Sequence, residues 1–287
     1  MSRLDRAAEF IAGNARLLER RLFAYHFEGG EASAVVSALA GYQNPDGGFG
    51  WGLEPDKRDP ASQPQDLEIA LKVLDQVGAV KGPLIEAACD WLAAASTAEG
   101  GVPYALPSLN AFPHAPWWAV TEAAPAANTN PTAAIAGFLL KHGVEHPWLE
   151  TASAFCFDSF EASEATGFHD LMPMIGFLEH ARDRPRAEHG LTQVARRVST
   201  PGVVALDTGA FGYVQKPLDW APSPLSFCRK LFSASVIETH LDALAARQAE
   251  DGSWPANWDP ISPGVGLEWR GIITVKALRT LKVYGRL

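Results

Sequence analysis

The feature that most constrains this chain is a turn written twice. Gln43 to Phe49 (QNPDGGF) and Gln248 to Trp254 (QAEDGSW) share the pattern Gln-x-x-Asp-Gly-small-aromatic, although about two hundred residues separate them. Weaker copies lie between: Ser96 to Val102 after Trp91-Leu92, Ala165 to Phe168, and Asp207 to Phe211. The first glycines of the copies, Gly47, Gly100, Gly167, Gly209 and Gly252, recur at an uneven period of about fifty residues. No Ser/Gly/Pro-rich linker or charge block divides the chain, so a repeat running end to end predicts one domain over residues 1–287.

The flanks of each copy predict helices. Apolar helical stretches precede most of them (34–42, 84–95, 148–157 and 236–247), and helices rich in small and apolar residues follow (66–77, 132–140, 170–180, 225–232 and 272–281). Helices with one wet face alternating with nearly all-apolar ones predict an outer ring around an inner, buried ring, with a further N-terminal helix from Leu4 to Ala24 beside the C-terminal one. Period-two alternation is almost absent, which makes the fold class all-α. Within each turn the glycines permit positive φ, the Gln amide suits unpaired backbone groups at a helix end, and the ring packs on the neighbouring hairpin.

Composition excludes several partners. The 287 residues carry 24 Lys plus Arg against 33 Asp plus Glu, and a net charge of -9 repels phosphate backbones, so nucleic acid is not an expected partner. The N-terminus has no apolar leader, and no uncharged apolar run approaches the roughly 20 residues that span a bilayer, so a cytoplasmic protein without an integral membrane segment is expected. Cys89, Cys156 and Cys228 are far apart and form no CxxC, and the eight histidines show no ligand spacing; no metal and no cofactor are expected.

On these motifs the chain resembles the terpenoid cyclases and protein prenyltransferase β-subunits, whose QW repeat joins an aromatic-Leu helix end to Gln, Gly and Trp. Gln248 to Trp254 matches well, Gln43 to Phe49 has Phe for Trp, and Trp91-Leu92 with Gly100 has Ser96 for Gln. The resemblance implies a single (α/α)6 toroid of the monodomain class II terpene cyclase kind, with an apolar cavity for an isoprenoid. Those cyclases use an Asp-x-Asp-Asp-Thr-Ala motif whose middle aspartate protonates an alkene. The counterpart here, Asn128-Thr129-Asn130-Pro131-Thr132-Ala133, keeps Thr-Ala and lacks every aspartate, and an amide has no acidic proton to give. No Asp-x-Cys pattern supports the prenyltransferase zinc site.

An acid must then come from elsewhere. The loop Gly52 to Pro60 (GLEPDKRDP) carries five charges shortly before an inner helix, and inner-helix N-termini should gather at one rim, so Asp56, Asp66, Glu68 and Asp170 are the acid candidates in that order. Lys57, Arg58 and Arg270 could meet a diphosphate where helix N-termini converge. Trp51, Trp117, Trp118 and Trp258 fall outside the repeat template and could stabilise a carbocation by roughly 0.5 to 2 kcal/mol each. The structural alternatives are a solvated charged rim and rings packed in the core, while Asp46 and Asp251 read as turn carboxylates.

The resulting expectation is a terpene-cyclase-like protein that binds an isoprenoid and cyclises or transforms it with a nonstandard acid. A non-catalytic ligand- or partner-binding toroid is the alternative that the missing aspartates favour. A glycan-processing glycosidase or lyase is a third, resting on fold analogy and tryptophan platforms.

Overall fold

The computed structural model describes residues 1–287. The chain is all-α, with no strand beyond three isolated bridges. Its helices are α1 (Arg3–Asn14), α2 (Leu17–Phe27), α3 (Ala32–Ala40), α4 (Pro64–Gln76), α5 (Pro83–Ala95), α6 (Thr129–Lys141), α7 (Trp148–Glu161), α8 (Phe168–His180), α9 (Arg184–Val198), α10 (Pro217–Trp220), α11 (Ala234–Ala246) and α12 (Pro263–Val283). No helix is long and apolar enough to cross a membrane. The chain forms two compact units, residues 39–197 and residues 1–38 with 198–287.

In the unit of residues 39–197, α6 packs against α4, α7 and α8, and α5 packs against α7. Burial follows the expected alternation. Residues 130–137 of α6 are buried without interruption, whereas α5 buries only the stripe Ile85, Ala88, Cys89, Trp91 and Leu92. Helices α6 and α8 meet closely because Gly137 has no side chain: a Cβ there would lie 2.7 Å from the Gly176 carbonyl carbon.

In the other unit, α12 packs on α1, α2 and α11, which puts the N- and C-terminal helices side by side. The single helix expected from Leu4 to Ala24 is instead two, α1 and α2, with Ala15 extended between them. Gly13 and Asn14 are weak helix formers, the Asn14 amide bonds the Phe10 carbonyl at 3.1 Å, and the break seats Ala15 against Gly271 of α12. The inner helix expected at 225–232 is only a 3-10 turn, Phe227–Leu231. Pro222 and Pro224 disfavour helix before it, and Ser223 and Ser226 hydroxyls take the backbone N–H groups of Leu225 and Ser223 at 3.2 and 3.1 Å.

Three of the five repeat copies are one structural device. Gly47, Gly100 and Gly252 have φ of 93, 92 and 90°, a region closed to most side chains. Each turn is closed by the same pair of backbone bonds: Asn44 to Gly48 and Gly47 to Asn44, Thr97 to Gly101 and Gly100 to Thr97, Ala249 to Ser253 and Gly252 to Ala249. Each glycine also abuts the backbone of a helix of its own unit, α5, α7 and α1 in turn, since a Cβ would stand 2.2 Å from the Ala87 oxygen, 2.8 Å from that of Thr151 or 2.1 Å from that of Arg6. The glutamine amide acts across that junction. Gln43 Nε2 donates to the Gly47 and Leu84 carbonyls, and Gln248 Nε2 donates to those of Gly252 and Arg3, all at 2.9 Å.

The remaining two copies are not this turn. Gly209 lacks positive φ, and Gly167 caps α8 with φ of -63°. Neither has the pair of backbone bonds that closes the other three.

Candidate functional site

The turn at Gly47 delivers the chain into the loop 50–63 and then into α4, whose first helical residue is Pro64. That loop is anchored to a second one, because Arg58 N–H donates to the Pro113 carbonyl at 2.9 Å and Ala115 N–H to the Asp56 carbonyl at 2.8 Å. Its charged side chains therefore turn inward. Glu54, Asp56, Lys57, Asp59 and Asp66 are all buried, with Lys57 and Asp66 wholly so.

Asp66 is the hub. One carboxylate oxygen accepts the Lys57 ammonium at 2.5 Å and the other the Glu54 backbone N–H at 2.7 Å, in the first turn of α4, where the helix dipole favours negative charge. Burial nevertheless pushes the Asp66 carboxyl above its ordinary range, with Lys57 and the Glu54 amide opposing the rise. The Lys57 ammonium also sits 5.2 Å over the Trp118 ring, which stacks on Tyr104 at 4.6 Å and belongs to a small apolar cluster with Ala105, Leu109 and Ala115.

A polar brace closes the far side. Asp59 accepts from Gln63 and from Ser108, both at 2.7 Å, and Gln63 accepts from the Leu106 N–H at 2.8 Å.

Burial is what most shifts protonation here. Lys57 is committed to Asp66, and a buried Glu54 carboxyl without a salt-bridging lysine of its own favours its neutral form. Burial drives Glu54 up to about 8, aided by Asp56 and Asp66 and opposed by Lys57. One Glu54 oxygen accepts from the Asp56 backbone, while Oε2 is enclosed and has no hydrogen-bond partner. Burial therefore favours the neutral Glu54 acid, whose Oε2 has no hydrogen-bond partner.

Of the residues expected from the sequence, Asp56, Lys57, Asp66 and Trp118 lie together in this cluster, with Arg58 half-buried at its edge. Glu68 is buried one position-pair further along α4 and pairs with Lys72. Asp170 is exposed in the first turn of α8. Trp117 is exposed, and Trp51, the one non-glycine residue with positive φ (60°), is exposed with its indole N–H on Asn44 at 2.8 Å. Arg270 and Trp258 belong to the other unit. Arg270 bonds Ser253 at 2.9 Å, pairs with Asp251 and lies over the Phe10 ring, so it braces the last repeat turn. Trp258 packs edge-on between Tyr213 and Trp269.

The Asn128–Ala133 segment does begin an inner helix. Asn128 is the N-cap, its side chain accepting the Asn130 N–H at 2.8 Å; Pro131 falls in the first turn, where a missing N–H costs nothing. Asn130 is buried and receives only a long bond from Gln65, 3.4 Å. Glu54, the acid of this cluster, is absent from the candidates drawn from the sequence. Its only sequence signal is the charge density of the loop around it, because its burial depends on segments 104–118 far along the chain.

No family model and no curated protein matches the chain. Solved structures do match in fold. A crystal structure of a protein from Actinoplanes is 16% identical, with 99% of this chain and 98% of that one covered and a TM-score of 0.57. A tyrosine-to-phenylalanine variant of the type II terpene cyclase MstE from Scytonema, without ligand, is 16% identical over 98% of this chain and 87% of that one, with a TM-score of 0.50. Another variant of that cyclase, in complex with geranylgeranyl dihydroxybenzoate, is 15% identical over 97% and 88%, with a TM-score of 0.49. The fold is therefore all-α and terpene cyclase-like, as expected from the helical-hairpin toroid reading of the sequence.

Proposed function

We propose that the protein binds an isoprenoid chain and protonates it with Glu54, as a member of the QW-repeat superfamily in which the customary aspartate triad has been replaced. The observation that carries this reading is the neutral, buried Glu54 carboxyl with an uncommitted oxygen, in a chain whose fold is shared with a type II terpene cyclase. In the proposed step the Glu54 O–H bond breaks, its proton adds to an alkene carbon, and the alkene electron pair forms the new C–H bond. A carbocation and the Glu54 carboxylate result. The Lys57 ammonium favours that carboxylate, which lowers the cost of giving up the proton.

The roles of the other residues follow from their places. Asp66 holds Lys57, Trp118 covers it, and Asp56 raises the Glu54 carboxyl; Glu68, Asp170, Trp51, Trp117, Arg58, Trp258 and Arg270 have no part in the proton transfer. Binding without turnover is the second reading, favoured by the amides Asn128 and Asn130 at the head of α6. Burial of the carboxyls weighs against a glycosidase, whose acid pair flanks a solvated sugar.

The test is incubation of the purified protein with farnesyl diphosphate, geranylgeranyl diphosphate and a geranylgeranylated phenol, followed by mass spectrometry of products and of retained substrate. A cyclic isomer formed by the wild type and not by Glu54→Gln supports the proposal. Retained substrate without product supports the binding-only reading, and neither product nor retention overturns both.

A further inference from the structure

Helices α7 and α9 enclose a cleft of about 590 Å³ lined by Phe157, Phe160, Glu161, Glu164, Arg186, Arg196 and Arg197, together with His189 and neighbouring residues of α9. No residue of the Glu54 cluster lines it. From this cleft we infer a binding site for a small molecule carrying a phosphate or diphosphate group, with Arg197 as its principal ligand.

Arg197 is the anomaly that points there. Its side chain is 5% exposed, yet its buried Nε has no hydrogen-bond partner. One terminal nitrogen makes a 3.5 Å bond to the Ala165 carbonyl, at the limit of such contacts, and the nearest carboxylate, Glu164, stands 3.8 Å from Nε. Glu164 is itself 78% exposed and shared with Arg196 at 3.2 Å, so it compensates Arg197 weakly. The guanidinium lies 4.4 Å over the Phe160 ring, which holds its plane but accepts no hydrogen bond. An enclosed guanidinium left in this state is under-solvated, and an oxyanion matched to its fork supplies the hydrogen bonds it lacks.

The surroundings favour an anion of more than one charge. Arg186 is already spent on Glu161 (2.5 Å) and Asp158 (2.7 Å), a brace that pins α9 to α7. Three arginines against two glutamates leave the lining net positive in a chain of net charge -9. The volume admits more than a bare phosphate ion.

The test uses inorganic pyrophosphate as probe, titrated calorimetrically at low ionic strength into the wild type, Arg197→Gln, Glu164→Gln and Glu54→Gln. The wild type should bind one equivalent, Arg197→Gln should bind at least about tenfold more weakly, and Glu164→Gln, which removes the competing carboxylate, should bind severalfold more tightly. Glu54→Gln should bind as the wild type does, which separates this site from the isoprenoid reading. Should Arg197→Gln fail to fold by circular dichroism, the exposed Glu164→Gln decides alone. Absence of saturable binding to the wild type overturns the site, as does Glu164→Gln binding no tighter or a folded Arg197→Gln binding as tightly as the wild type.

Discussion

The Lys57 ammonium and the Asp66 carboxylate are 2.5 Å apart with neither side chain reaching solvent. A pair in that position repays its desolvation only while both partners are present. Removing one leaves an uncompensated buried charge, so Lys57→Met and Asp66→Asn should each lower unfolding free energy by about 3 to 5 kcal/mol in denaturant titration. The double variant should lose much less than the sum of the two. Additive losses would show that the two groups do not interact.

Trp254 is buried, with its indole N–H on the Leu244 carbonyl at 2.8 Å and its backbone N–H on Thr274 at 3.0 Å. Trp254→Ala should cost about 3 to 5 kcal/mol by the same measurement. A cost below about 1 kcal/mol, far under the range for core truncation, would mean that the last repeat turn is not a packing anchor.

The repeat glycines should separate into two classes. Gly252→Ala meets both a positive φ and the Arg6 carbonyl, and should be severely destabilising, by at least about 3 kcal/mol. Gly209→Ala meets neither and should stay within about 1 kcal/mol of the wild type. Thermal denaturation of the two variants distinguishes them, and equal losses would contradict the assignment of only three copies to one turn.

Glu54 links stability to pH with a definite sign. Its carboxyl titrates near 8 in the fold against 4.5 for the free group, so the fold binds the proton more tightly than the unfolded chain does. That contribution is complete below 4.5 and is lost as pH rises through about 8. Between those values the wild type should lose stability relative to Glu54→Gln by at most about 1.4 kcal/mol per pH unit. A stability difference that does not change with pH would place Glu54 in the ordinary carboxylate range.

The two strong repeat copies made the helical-hairpin fold legible, because a glycine at φ near 90°, a stapling glutamine and a buried ring are local requirements that leave a residue pattern. Helix α9 left little pattern. Its buried residues are Ala187, Gly190, Val194, Arg197 and Val198, of which only the two valines are large apolar side chains. The loop 52–60 was legible as unusual and its charges as candidates, but which of them keeps a proton was not. That depends on Trp118, Ser108 and Ala115 closing over the loop from about fifty residues away, and on Lys57 choosing Asp66 rather than Glu54. Asp56 and Asp66 share this buried loop and helix start with Glu54, and which of the three carboxyls keeps a proton is set by tertiary burial.

The protonation state of Glu54 can be read directly by infrared difference spectroscopy of the carboxyl stretch across a pH titration, wild type against Glu54→Gln. The wild type should show a protonated carboxyl band at neutral pH that disappears with a midpoint near 8 and is missing from the variant. A spectrum at neutral pH in which the two proteins show the same carboxyl bands would contradict it.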